Sequence, residues 1–234
     1  MIQEYEKYSK EDHEVWNILF DRQTKNLQKK ACHEYLDALN EMQEVMHQKK
    51  VPNFKELDDL LMQKTGWSIE VVPGLIPVED FFDLLSKRKF CSSTWLRKKS
   101  QLDYLQEPDM FHDTFGHIPL LMNEVYAEFV YRFGLLGLKH MHHPHKLVQL
   151  QRLYWFTIEF GLFDQINSIY GAGIISSFGE TNHIWNDKVE VIPYSIERVM
   201  NQHFINSEIQ PFYFAISNFE ELYHSIDEAE KILE

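Results

Sequence analysis

Apolar residues recur at helical spacing along most of this chain. Trp16, Leu19, Phe20 and Leu27 keep to one helical face. Ahead of them, Ser9-Lys10-Glu11-Asp12 reads as a capping box, in which a hydroxyl and a later carboxylate satisfy amide groups that a first turn leaves orphaned. Tyr35, Leu36, Leu39 and Met42 predict a second helix, and Phe54, Leu57, Leu60 and Leu61 a third, started after Pro52 and stopped at Thr65-Gly66. Residues 1–65 read as helical scaffold. The pattern then switches. Residues 67–72 alternate and end at Pro73-Gly74, which predicts a short strand entering a tight turn. Helices are expected again over 78–85 and around 109–115, 123–133, 146–160, 192–201 and 218–233, the last with its own box, Ser217-Asn218-Phe219-Glu220. Residues 171–177 are small backbone followed by an apolar pair. They predict a poor helix, but a good segment for lining a pocket closely. The sum is a mainly α fold with a small minor β-sheet, in a single domain over 1–234.

Composition narrows the class. Hydrophobic residues are 44% and charged residues 25%, as in an ordinary soluble globular chain. A net charge of −13 argues against a general nucleic-acid surface, which needs clustered cations; Arg97-Lys98-Lys99 is the densest basic run. Cys32 and Cys91 do not make a disulfide framework, so a reducing compartment is expected. No apolar run approaches the roughly 20 residues of a membrane helix. Met1-Ile2-Gln3-Glu4-Tyr5-Glu6 is polar and lacks a signal-peptide core. A cytoplasmic protein with no membrane or nucleic-acid partner is the expectation.

Chemistry concentrates in two segments. His112 and His117 lie five positions apart, and on an ideal α-helix five positions turn about 500°, leaving the rings about 140° apart. An intact helix cannot aim both at one metal, whereas one ending near Gly116, before Pro119, can swing His117 back beside His112. A third ligand must come from elsewhere. Glu159 lies in the most apolar stretch of the chain, 153–163, where an uncompensated carboxylate is costly. A metal ion would compensate it; so would an ion pair with Arg152 or Arg97. Two imidazoles and one carboxylate form the facial triad of Fe(II) oxygenases, with three positions left open. A zinc hydrolase competes, with Asp113 as its base, but H-E-x-x-H is absent. Phe111, Phe115, Tyr154, Trp155, Phe156 and Phe160 crowd the candidates, and such walls suit a flat apolar substrate.

These residues also carry a resemblance. Glu107-Pro108-Asp109, His112 and Gly116-His117-Ile118-Pro119-Leu120-Leu121 resemble the iron-site motif of the pterin-dependent aromatic amino acid hydroxylases. The stretch 154–162, with Glu159, resembles their second iron motif, 170–180 a third, and Val72-Pro73-Gly74-Leu75-Ile76-Pro77 with Asp80-Phe81 the pterin loop. The likeness runs in order over residues 67–213. Leu102-Asp103-Tyr104-Leu105-Gln106 is most similar to the short bacterial phenylalanine 4-hydroxylases.

The resemblance implies a monooxygenase that converts L-phenylalanine to L-tyrosine with O2, tetrahydrobiopterin and non-haem Fe(II). His112, His117 and Glu159 would hold the iron. Val72, Gly74, Leu75 and Ile76 would meet the pterin through backbone, Phe81 would stack on it, and Tyr154 would lie nearby. Asp113 stands where the animal enzymes carry Glu, one methylene longer, so its pterin contact is expected through water. Arg97 would pair with the substrate carboxylate, supported by Asp109. Trp155 and Phe160 would wall the substrate ring, with Gly173 and Ser176 opposite. Ser176 and Glu180 would back the ligands, Ser176 orienting a histidine. Leu105-Gln106 departs from the Thr-Pro of the animal enzymes. Tryptophan or tyrosine hydroxylation, and a non-catalytic iron- or pterin-binding member, are the alternatives. No regulatory domain is expected before residue 9. The C-terminal tetramerisation extension of the animal relatives is missing, so a monomer is expected. The tract Lys139-His140-Met141-His142-His143-Pro144-His145-Lys146 reads as an exposed loop between helices.

Overall fold

The Ser9 box forms as read. The Ser9 hydroxyl accepts the Asp12 N–H at 3.2 Å, the Asp12 carboxylate accepts the Ser9 N–H at 2.7 Å, and α1 (Lys10–Leu27) follows. The computed structural model describes every residue except Tyr104, Gln106, Ile166, Asn167 and Asp187, so two positions of the 102–106 motif lie outside the described residues. It continues with α2 (His33–Glu41) and α3 (Phe54–Lys64), the latter capped by the Asn53 side chain. These helices bury Trp16, Tyr35, Leu57 and Leu61 in one hydrophobic cluster that runs on to Leu233. They also do more than fill space: the Tyr35 hydroxyl donates to the Phe115 carbonyl at 2.7 Å, inside the segment that carries the candidate histidines.

The strand expected over 67–72 is β1 (Ser68–Val71), and the helix over 78–85 is α4 (Val78–Leu85). After α4 comes β2 (Lys89–Ser92), parallel to β1 with Ser68 opposite Lys89. The 72–77 turn therefore leaves the carboxyl end of β1, a place where parallel strands present loops to ligands. Beyond it, α5 (Glu124–Lys139) outruns the 123–133 reading through Gly134 and Gly137. A Cβ on Gly134 would lie 2.6 Å from the Leu85 Cβ, and one on Gly137 2.0 Å from the Phe82 ring. The glycines do not stop α5; they let α4 pack against it.

Where 146–160 suggests one helix, α6 (Pro144–Tyr154) gives way to a separate π-helical turn, Trp155–Glu159. Pro144 and His145 form the first turn of α6 and His140 is buried, so only part of the His-rich tract is the exposed loop expected of it. Residues 171–177 also differ from expectation. Despite two glycines they form α7 (Ala172–Ser176), followed by α8 (Phe178–His183) with Ser177 as its cap. The helix expected over 192–201 is split: β4 (Glu190–Pro193) precedes α9 (Ile196–Asn201), whose cap is Ser195. With β3 (Gly161–Phe163) and β5 (Phe212–Ile216), β4 forms a parallel sheet in the order β3-β5-β4. The single minor sheet expected is thus two small parallel sheets. Finally α10 (Phe219–Leu233) packs along α5, and its box sits one residue later than read: Asn218 accepts the Glu221 N–H at 2.9 Å while Glu221 accepts the Ser217 N–H at 2.6 Å. Among the described residues no helix is long and apolar enough to cross a membrane.

Candidate metal centre and substrate cavity

Both ligand-bearing segments widen where the candidates sit. His112–His117 is a π-helical turn, and in the second, Trp155–Glu159, the Phe160 N–H reaches back five residues to the Trp155 carbonyl at 2.9 Å. With i→i+5 winding, residues five apart stand nearly over one another. The helix therefore does not need to end at Gly116 to bring the two histidines together; it widens instead. His117 Nε2 lies 3.2 Å from His112 Nε2 and 3.2 Å from Glu159 Oε1, and His112 Nε2 lies 3.7 Å from Glu159 Oε2. Donors about 2.1 Å from one ion and at right angles to each other would stand roughly 3 Å apart, so the three atoms fit a divalent cation. Among the described residues this is the one such group, its ligand atoms all within 4.8 Å.

The ion pairs that competed for Glu159 do not form. Arg97 is taken by Asp109, and Arg152 donates to the Met200 carbonyl and lies against His203. Burial works to raise the Glu159 pKa, but His117 and His112 beside it prevail and hold it down at about 2. Burial drives His112 down to about 4. An ionised carboxylate and a neutral imidazole are the forms a cation requires.

Ser176 sets the tautomer of His112. Its hydroxyl donates to the Ala172 carbonyl at 2.8 Å, so towards His112 Nδ1, also at 2.8 Å, it can only accept. The proton then sits on Nδ1 and the Nε2 lone pair faces the cluster. The small residues at the start of α7 and just before it make room for this. A Cβ on Gly171 would stand 2.5 Å from the Glu159 carbonyl, and one on Gly173 2.9 Å from the Phe160 ring and 3.1 Å from Glu159 Oε2.

The cluster lies in a cavity of about 890 Å³. Val72, Gly74, Leu75, Ile76, Phe81, Asp113 and Tyr154 all line it, as do Arg97, Trp155, Phe160, Gly173 and Ser176. Asp109 lies behind Arg97, fully buried. Tyr154 stands edge-on to Phe81 at 5.2 Å and lies over His117 at 6.4 Å, while Phe90 covers the His117 ring at 4.5 Å. The Asp113 carboxylate accepts the Ser93 N–H at 2.8 Å, and burial pushes its pKa up to about 7. Glu180 departs from the expected role of backing a ligand. Its carboxylate lies at the cavity but accepts the Gln210 N–H at 3.1 Å and the Tyr213 hydroxyl.

Some of the lining has no counterpart in the sequence reading. Arg22, on α1, donates to Asp103 at 2.5 Å and to the Leu102 carbonyl at 2.7 Å and lies 5.1 Å over Phe178, joining two sides of the cavity. Phe204 stacks on Trp155 at 4.4 Å. Both partnerships span some 50 residues or more of chain, and no local pattern announces them.

Two imidazoles and one carboxylate in an aromatic cavity form a donor set of the facial-triad kind, which could hold one metal ion. Residues 3–233 match the biopterin-dependent aromatic amino acid hydroxylase family, and the chain belongs to it. It is 42% identical over 224 residues to the phenylalanine-4-hydroxylase of Chromobacterium violaceum, covering 94% of this chain and 74% of that protein. It is also 42% identical over 226 residues to that of Ralstonia nicotianae, covering 95% and 71%. The crystal structure of the C. violaceum enzyme with bound iron(III) and 7,8-dihydrobiopterin matches with a TM-score of 0.93 at 41% identity, over 100% of this chain and 85% of that one.

Proposed function

We propose that this chain is a monooxygenase that hydroxylates the aromatic ring of L-phenylalanine to give L-tyrosine, with O2 and tetrahydrobiopterin as co-substrates. The observation that carries this reading is the convergence of His112, His117 and Glu159 on one wall of an aromatic-lined cavity. Fe(II) held there would supply activation of O2, with the reduced pterin as electron donor.

The remaining residues bind, orient and exclude water. Asp109 occupies Nε and Nη2 of Arg97, each at 2.8 Å, and presents the guanidinium to the amino-acid carboxylate. Trp155 and Phe160, 4.6 Å apart, wall the substrate ring, with Gly173 and Ser176 on its other side. Val72, Gly74, Leu75 and Ile76, which line the same cavity, would meet the pterin through backbone, Phe81 would stack on it, Tyr154 would lie nearby, and Asp113 would reach it through water. No side chain serves as a nucleophile. The protein's contribution is to hold two flat substrates against one open metal face in a dry site.

We also place the protein in the cytoplasm as a monomer without nucleic-acid or membrane partners. A net charge of −13 and two free cysteines support this. Sedimentation should give a mass near 28.0 kDa independent of concentration; a larger constant mass would refute the monomer.

One assay tests the activity. Iron-loaded protein, tetrahydrobiopterin and O2 are offered phenylalanine, tyrosine and tryptophan in turn. Phenylalanine should be the preferred substrate. Preference for another amino acid would reassign the substrate, and no pterin-dependent turnover with any of them would favour a non-catalytic iron- or pterin-binding protein.

A further inference from the structure

Gln210 lies between α9 and β5, is 3% exposed, and has its side-chain amide fully engaged. Its Oε1 accepts the Trp155 indole N–H at 3.0 Å, and its Nε2 donates to the Ile205 carbonyl at 2.9 Å and the Glu208 carbonyl at 3.1 Å. The amide has one workable orientation. Flipped, it would set an NH2 against the indole N–H and an oxygen against two carbonyls. Its backbone is held as firmly. Glu180 on α8 accepts the Gln210 N–H through Oε1, and its Oε2 accepts the hydroxyl of Tyr213 on β5. A carboxylate buried without a cation is costly unless its oxygens are satisfied; here one holds the Gln210 backbone and the other is fixed by Tyr213.

Trp155 is where these restraints converge. Its ring lies between Phe204, at 4.4 Å and 14°, and Phe160, at 4.6 Å and 37°. Phe204 and residues 206–209 line the same cavity, and Gln210 ties the Ile205 and Glu208 carbonyls to the indole. Stacking alone lets an indole slide and tilt in its plane; a hydrogen bond at its polar tip fixes the rotation.

We propose that Gln210 is a positioning residue for the amino-acid site, setting the plane of Trp155 and drawing the 204–209 segment over that wall. It deepens the reading of Trp155 as the wall of an aromatic amino-acid slot and rests on it. Gln210 is not among the residues that line the cavity. It acts through the indole, with Glu180 and Tyr213 fixing it from behind, which gives the buried Glu180 a task that contact with a ligand does not.

The test compares Gln210→Leu, Trp155→Phe and the double variant in the iron-loaded full-length protein. Amino-acid KM, pterin KM and iron content are read, together with the L-phenylalanine Kd by calorimetry. Gln210→Leu should raise the amino-acid KM and Kd roughly tenfold, because the indole N–H loses its acceptor and the Trp155 ring is free to turn. Pterin KM and iron content should not move. In the Trp155→Phe background, which already lacks the bond, the same change should add less than about twofold. Equal effects in both backgrounds, no effect in either, or a joint rise of both KM values would overturn the proposal. If Gln210→Leu does not fold, Gln210→Asn, one methylene short of the indole, should show the same selective rise, and its failure to do so counts equally against the proposal. The Kd keeps the two readings apart: a wild type without turnover contradicts the hydroxylase reading, while the calorimetric comparison still decides on Gln210.

Discussion

Asp109 holds Arg97 at three points. Its Oδ2 accepts Arg97 Nε at 2.8 Å and the Arg97 backbone N–H at 2.9 Å, and its Oδ1 accepts Nη2 at 2.8 Å. That geometry needs a planar fork, which an ammonium does not have. Arg97→Lys should therefore raise the amino-acid KM about tenfold or more while the pterin KM changes by less than about twofold. Steady-state kinetics varying each substrate separately checks this. If both constants rise together, Arg97 is organising the whole site rather than holding a carboxylate.

The same Asp109 Oδ1 also accepts the backbone N–H of His112 at 3.1 Å, so one fully buried carboxylate joins Arg97, the proposed amino-acid anchor, to His112, a proposed metal ligand. Asp109→Ala strips the partner from a nearly buried guanidinium. It should cost about 3–5 kcal/mol in urea unfolding and weaken iron retention as well as amino-acid binding. An unchanged unfolding midpoint would contradict the coupling.

Ser176 supplies the acceptor that keeps the His112 proton on Nδ1. With Ser176→Ala the ring is free to change tautomer or turn, and affinity for Fe(II) or Co(II) should fall by about 10–100-fold without loss of helical signal. Metal titration followed by calorimetry measures it. Wild-type affinity would remove Ser176 from any orienting role.

Asp113 offers a proton test of the metal site. Burial raises its carboxyl to about 7, so in the metal-free protein it is mostly protonated at roughly pH 6.5. Because the folded pKa lies above the unfolded one, its contribution to metal-free stability is present in acid and is lost as pH rises through about 7. A divalent cation on the neighbouring ligands favours the carboxylate, so metal binding should expel the proton. His112, at about 4, and Glu159, at about 2, have none to give. In a pH-stat near neutrality, metal addition to the wild type should release more acid than addition to Asp113→Asn, by up to one proton per ion. Equal release would contradict the assignment.

How much of this was legible from sequence depended on whether the physics was local. The switch from helical spacing to alternation at residue 67, the cap at Ser9, and the breakers Pro52 and Thr65-Gly66 act within a few residues and located β1, α1 and α3 closely. Glu159 stood out because a carboxylate in an apolar run needs a partner. The π-helical turns did not, since widening a helix by one residue leaves no compositional trace; only the ligand spacing hinted that an ordinary helix would fail. Residues 171–177 read as poor helix by propensity, and packing against the Glu159 backbone overrode it. β4 read as the start of a helix because its one neighbour, β5, is about 20 residues away in the chain. The Trp155–Gln210 bond likewise joins residues 55 positions apart, with no local pattern to predict it.

If one metal ion on His112, His117 and Glu159 makes this cavity a hydroxylase, losing the carboxylate must end both metal binding and turnover. Bound iron and pterin-dependent tyrosine formation from phenylalanine are measured in the wild type and in Glu159→Ala. The variant should keep its helical signal, lose iron readily and form no tyrosine. Wild-type iron content together with wild-type turnover in Glu159→Ala would contradict the account.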